Sequence, residues 1–358
     1  MRKMLRFGIP PRKPGSDTGF PSTPEKTTLI VMRPSEVCTT VVLGLLLHLR
    51  LEAAGPMELP DRSKVSMQTL KWERTWTLTP PIASRFDASA LLRLDDGSLL
   101  TVNDKQAGVY RIEGLDDGPL ARLTLVPGVF TKAALDAASG RIATAYDLEG
   151  LAVDDQGRWY VCDEISRDLF RFDHRTGKTE RLATDWSPVR KWLSEDGNAS
   201  WEGLAIGGGS LFVANERSVG RIIVVSMSTW NVLRTFSVSP PDRPARDVHY
   251  SDLCWNADRL WVLCRESQCI LKVEPDAGRV EAAFGYGAIE RDPKHGYLNP
   301  LPVGFVEGLA VEANTAWLLV DNNGVGRISD PKDVRPTLWR CRMPEARHGI
   351  TTRQSPNP

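Results

Sequence analysis

Apolar and polar positions recur along this chain with a long period. Asp147-Leu148-Glu149-Gly150-Leu151-Ala152-Val153 opens a run that the turn Asp154-Asp155-Gln156-Gly157 separates from Arg158-Trp159-Tyr160-Val161-Cys162, which closes on Asp163-Glu164. Alternation continues through 168–172 and 179–183, with His174-Arg175-Thr176-Gly177-Lys178 between them. Short alternating runs bounded by turn residues predict four antiparallel strands. The opening returns at Glu202-Gly203-Leu204-Ala205, closing on Asn215-Glu216, and at Glu307-Gly308-Leu309-Ala310, closing on Asp321-Asn322. Weaker copies are Ser89-Ala90-Leu91-Leu92 with Asn103-Asp104, and Ser251-Asp252-Leu253-Cys254 with Arg265-Glu266. Copies about 50–60 residues apart predict an all-β fold, a β-propeller with four antiparallel strands per blade. Five blades are expected and six are the alternative. The fifth copy has strands A to C in 308–328, and its outer strand is either 337–341 or the alternating run at 69–78.

The chain before the repeats divides differently. Residues 1–31 are basic and rich in Pro, Ser and Thr, and read as a disordered or misassigned upstream segment. Residues 32–56 carry a positive start at Met32-Arg33-Pro34, an apolar core from Val37 to Leu47, and a small-residue exit at Ala53-Ala54-Gly55. That order describes a signal peptide and predicts a secreted or periplasmic protein. A buried N-terminal helix is the other reading. The core is shorter than the about 20 residues that span a bilayer, so no stable membrane span is expected after signal removal. Residues 57–84 form a closing strand and linker, 85–345 the propeller, and 346–358 a disordered tail.

The topology has a chemical consequence. An inner strand and its antiparallel neighbour bring the start of one and the end of the other to the same face. Glu149, Glu202 and Glu307 therefore converge near the axis with Glu164, Asn215, Glu216, Glu266 and Asp321. Like charges so close raise one another's pKa unless a cation sits among them. Oxygen ligands without a His or Cys cluster select a divalent metal of the Ca²⁺ type before Mg²⁺ or Mn²⁺, and argue against zinc. Each Glu could instead bond backbone N–H groups of the neighbouring blade and serve as a lock. Arg167, Arg217 and Arg265 lie beside the ring as candidate substrate-binding groups, or pair with the acids next to them. Long inserts over the same face contain His249 and His295, which are candidate general acids or bases if they are not simply solvated.

Composition narrows the chemistry further. Formal net charge is zero, which carries no signature of nucleic-acid binding. The six cysteines include no C-x-x-C pair, so neither a zinc ribbon nor a thioredoxin motif is present. Cys264 and Cys269 flank a tight turn and could face each other across a hairpin, or remain free buried thiols. Trp159, Trp261 and Trp317 recur at matching places and are expected to pack between blades. No G-x-S-x-G elbow, P-loop or H-E-x-x-H motif occurs.

Tyr146-Asp147-Leu148-Glu149-Gly150-Leu151-Ala152-Val153 through Val161-Cys162-Asp163-Glu164 resembles the β-propeller family described as esterase-like or phytase-like. It is also similar to a related family named for regulation by a quorum-sensing receptor. The resemblance covers about residues 85–330, with Ser89 and Ser251 standing where the family pattern has an acid. It implies an exported propeller with Ca²⁺ binding and phosphoester or carboxylic-ester hydrolysis. The sequence lacks the dense Lys/Arg array that a highly phosphorylated inositol would need. The expectation is a monomeric, metal-dependent hydrolase of a small ester, lactone or phosphoester. The alternative is a non-catalytic propeller that binds a small-molecule ligand or a protein on the same face.

Overall fold

The computed structural model describes residues 61–81, 85–195, 199–216, 220–299 and 304–344. The segments 1–31, 32–56 and 346–358, and Arg217, lie outside them. Strands β1 (Met67–Thr69) and β2 (Lys71–Thr79) precede the first copy, which forms β3 (Ala88–Arg93), β4 (Leu99–Asn103), β5 (Gln106–Glu113) and β6 (Leu120–Leu125). The helix α1 (Lys132–Ser139) follows, with Thr131 as its N-cap and Gly140 closing it in the left-handed region. The second copy supplies β7 (Leu148–Val153), β8 (Trp159–Asp163), β9 (Asp168–Asp173) and β10 (Lys178–Arg181). The third supplies β11 (Trp201–Gly207), β12 (Ser210–Asn215), β13 (Arg221–Ser226) and β14 (Val232–Phe236). The fourth supplies β15 (Tyr250–Asn256), β16 (Arg259–Cys264), β17 (Cys269–Glu274) and β18 (Arg279–Gly285), and the fifth β19 (Val306–Glu312), β20 (Thr315–Val320) and β21 (Thr337–Arg342).

Copies two and three are four-stranded antiparallel sheets, and copy four gains β1 in parallel on β18. The remaining sheet has the order β19-β20-β21-β2-β6-β5-β4-β3, antiparallel except for a short parallel join between β2 and β6. One sequence expectation needs correction here. The third strand of the fifth copy is not within 321–328; it is β21, and β2 lies outside it. The intervening stretch is bent by Pro331 and Pro336 and by the Asp330 and Asp333 carboxylates, which cap backbone N–H groups of the turns. The helix α1 lies between the first and second copies.

Inner strands β3, β7, β11, β15 and β19 each lie against the next, and β19 lies against β3. The apolar core is correspondingly distributed, with every cluster combining residues of two consecutive copies. Trp159 and Trp261 are buried in these clusters, while Trp317 packs against one and stacks on Trp76. Among the described residues no helix is long and apolar enough to cross a membrane.

Candidate functional site: a carboxylate cavity on the axis

Two local features explain the Glu-Gly-Leu-Ala opening. First, the register between the inner strand and its neighbour shifts at this point in every copy, between Leu148 and Leu151, Trp201 and Leu204, and Val306 and Gly308 in the strong ones. A bulge leaves a residue outside the ladder and re-aims its side chain, and Glu149, Glu202 and Glu307 sit there. Second, the glycine permits close approach of the next inner strand. A Cβ on Gly150 would lie 2.6 Å from the Leu204 nitrogen, and one on Gly203 would lie 2.6 Å from the Asp252 Cα. No side chain fits that gap.

The three glutamates line one cavity of about 160 Å³. The residue that follows the second strand of each copy joins them: Asp104, Glu164, Glu216, Arg265 and Asp321. Lys105 and Asp147 complete its charged wall, giving eight carboxylates against two cations. Burial is the first cause of the acids' perturbation, ahead of mutual repulsion. It pushes Glu149 and Glu202 well above the carboxylate range, helped for Glu149 by Glu202 and Asp147, and for Glu202 by Glu216, Glu164 and Glu307. Glu307 is raised to about 7 by burial, with Arg265 opposing, and Asp104 to about 6 by burial, with Lys105 opposing. Asp321 is driven well up by burial, then by Asp87 and Glu307.

Arg265 is the main internal counter-charge. It donates to Glu307 and, at 3.0 Å, to Oε1 of Glu216. Burial works against its cation, but Glu307, Glu202 and Glu216 outweigh burial and hold it charged. Even so, Asp104 Oδ1, Asp147 Oδ1 and Glu307 Oε2 are buried and accept no hydrogen bond. Ligand oxygens of Asp104, Asp147 and Glu149 lie within 4.8 Å of one another, and so do those of Glu164, Glu202 and Glu216. A hard, oxygen-binding cation fits this donor set, since unpartnered buried carboxylate oxygens are costly without one.

The remaining predicted residues divide. Glu266 stands apart from the ring and holds His249: one oxygen takes His249 Nδ1 and the other its backbone N–H at 3.0 Å. His249 Nδ1 is also 3.8 Å from Glu216, so the histidine borders the ring acids. Asn215 lies behind Glu216, its amide directed at the Trp192 carbonyl at 3.5 Å. Arg167 does not reach the ring, because its left-handed backbone in the β8–β9 turn aims it at the Ser194 carbonyl, beside Trp186 and Arg190. His295 is not above the cavity either. Its ring stacks on Trp72 at 4.4 Å and its Nδ1 is 3.2 Å from Thr75 Oγ1, both on strand β2, which lies outside β21.

Asp252 occupies the glycine position of the fourth copy, not an acidic ring position. Its carboxylate accepts the backbone N–H groups of Leu309 at 2.7 Å, Leu91 at 3.1 Å and Leu253 at 2.8 Å. This is the lock that the ring glutamates were also candidates for, realised across three copies by one buried side chain. Lys105 and Asp147 were missed as wall residues, although Asp147 opens the strongest repeat.

Solved structures similar to this chain include a glutaminyl cyclase of Myxococcus xanthus, at 15% identity and TM-score 0.51, covering 79% of this chain and 100% of that one. An aldose sugar dehydrogenase of Streptomyces coelicolor aligns at 13% identity and TM-score 0.41, over 79% and 99%. A virginiamycin B lyase of Staphylococcus aureus aligns at 10% identity and TM-score 0.37, over 72% and 66%. The 15% identity to the glutaminyl cyclase speaks to the fold alone. No curated protein matches the sequence. The sequence profile described as phytase-like, esterase-like activity of phytase, matches residues 85–324, the stretch from the approach to β3 through the end of the Asp321-Asn322 turn. The chain belongs to this phytase-like family.

Proposed function

We propose that this protein is an exported, metal-dependent hydrolase of a small ester, lactone or phosphoester, working in the carboxylate cavity of a five-bladed propeller closed by β2. The observation that carries this reading is the convergence of buried carboxylate oxygens without hydrogen-bond donors on one cavity wall. Asp104, Asp147 and Glu149 on one side, and Glu164, Glu202 and Glu216 on the other, would hold the cation, with Glu307 and Asp321 nearby. Ca²⁺ suits them best. A bound divalent cation polarises a substrate oxygen and lowers the pKa of water.

The chain's own residues do the rest. Glu266 stands against Nδ1 of His249, which leaves Nε2 as the nitrogen to take a proton from an attacking water. Arg265 is held by Glu307 and Glu216, so it orients the wall and is not a free arm for substrate. Lys105, more than half exposed, supplies a cation at the mouth for an anionic substrate group. Arg217, outside the described residues, is retained from the sequence as a candidate substrate-binding group. Export rests on the 32–56 pattern and predicts a mature chain from about residue 57.

The rival reading, a binding module, draws support from Glu164, whose Oε1 accepts the Ser200 N–H at 3.0 Å as a lock would. Hydrolysis of p-nitrophenyl acetate, p-nitrophenyl phosphate and a γ-lactone, each with Ca²⁺ and with EDTA, separates the two. Turnover of one substrate that needs Ca²⁺ and is lost in both Glu202→Gln and His249→Gln supports the hydrolase. Ca²⁺ binding without turnover of any of them selects the module.

A further inference from the structure

Strands β16 and β17 are joined by the turn Arg265-Glu266-Ser267-Gln268, and Cys264 and Cys269 on either side of it are direct partners in the strand register. Opposed residues of an antiparallel pair have Cα atoms about 4.5–5.5 Å apart and side chains on the same face. That spacing falls inside the about 4.4–6.8 Å that a disulfide bridges. Both residues are free thiols, fully buried in one apolar cluster. The other described cysteines have different ladder partners: Cys162 faces Leu169, Cys254 faces Trp261, and Cys341 faces Ala316. The turn that the pair encloses carries Arg265 and Glu266, the groups that hold Glu307, Glu216 and His249.

We propose that Cys264 and Cys269 form a cross-strand disulfide when the chain folds in an oxidising compartment, clamping the hairpin that carries Arg265 and Glu266. The co-reactant is a small-molecule disulfide such as oxidised glutathione. One cysteine thiolate attacks it, forming a mixed disulfide and expelling a thiolate. The second cysteine thiolate then attacks the protein sulfur of that mixed disulfide, forming the Cys264–Cys269 bond and expelling the second thiolate. Two protein thiols are oxidised, the reagent is reduced to two thiols, and the protein's two protons go to solvent or to those leaving groups. Both sulfurs are sealed from solvent in the folded protein, so the exchange belongs to folding, before the hairpin packs. It is independent of any hydrolase activity.

The test refolds the full chain with oxidised glutathione or with reductant, then blocks free thiols in denaturant and digests with trypsin without reduction. Cleavage after Arg265 separates the two cysteines into Leu260-Trp261-Val262-Leu263-Cys264-Arg265 and Glu266-Ser267-Gln268-Cys269-Ile270-Leu271-Lys272. The proposal expects these peptides linked in the oxidised sample, with two of the six thiols lost to blocking and the linkage released by reductant. It also expects the oxidised protein to melt a few degrees higher than the reduced one, with no such difference in Cys264→Ala/Cys269→Ala. Recovery of the two peptides unlinked and blocked, from oxidised protein that melts cooperatively, would overturn it. So would a bond from either cysteine to a different partner.

Discussion

Arg265 reaches from the β16–β17 turn to the carboxylate of Glu307 at the head of β19. Four other copies place an acid at Arg265's position, so the fourth copy turns one ring carboxylate into a counter-charge. Arg265→Gln should leave Glu307 and Glu216 buried without their cation. The expected cost is about 3 kcal/mol in EDTA, the usual order for breaking a buried pair from one side. Urea denaturation measures it, and Ca²⁺ should recover part of the loss. A variant as stable as the wild type in EDTA would refute this role.

Asp252 holds the inner strands together. Asp252→Ala removes the acceptor for the Leu309, Leu91 and Leu253 N–H groups. Leaving buried donors unpaired costs about 1–3 kcal/mol each, so a loss of about 3 kcal/mol or more is expected. Asp252→Asn, which keeps one oxygen, should lose less. Equal stability of all three proteins in urea would show that the bonds contribute nothing.

Stability in EDTA should fall as pH rises from about 4 to about 7. Glu307 and Asp104 are raised by burial to about 7 and about 6, so the folded state binds more protons than the unfolded chain across that window. Their stabilising contribution is full below the unfolded values and is lost as pH passes the folded ones. Asp333 works the other way. Burial opposes, but Arg335 and Arg327 hold its partly buried carboxyl down to about 2, and its contribution is lost only below about pH 4. Melting temperatures across pH in EDTA and in Ca²⁺ check the sign: a decline in EDTA, flattened by Ca²⁺.

His249→Gln should lower kcat about 100-fold with little change in KM or Ca²⁺ affinity. Glu266→Gln should lower it less and shift the pH profile of kcat, because it acts through the imidazole. A change confined to KM in both variants would assign the pair to binding.

The repeat was legible because packing enforces it. A Cβ on Gly150, Gly203 or Gly308 would meet backbone at 2.6–2.8 Å, so Glu-Gly-Leu stands out in the sequence. The acids that line the cavity follow from that register. Asp252 was not legible as a lock, since an Asp at a glycine position looks like decay until the Leu91 and Leu309 N–H groups are seen across the axis. Glu266 looked like a ring ligand because it lies one residue beyond the wall position, and that offset shows only once β16 is seen to end at Cys264. His295 depended on the path of an insert, which neither period nor composition determines.

The most direct test of the central claim is thermal melting of the wild type and Glu202→Gln at pH 7 with excess EDTA, Ca²⁺, Mg²⁺ or Mn²⁺. A cation that binds only the folded protein raises its melting temperature by mass action. The account predicts a clear rise with Ca²⁺, a smaller one with the other ions, and a reduced rise in Glu202→Gln. It also predicts that Glu202→Gln is the more stable protein in EDTA, since it relieves repulsion among Glu149, Glu164, Glu216 and Glu307. A melting temperature indifferent to every cation, and raised by Glu202→Gln even when Ca²⁺ is present, would contradict it.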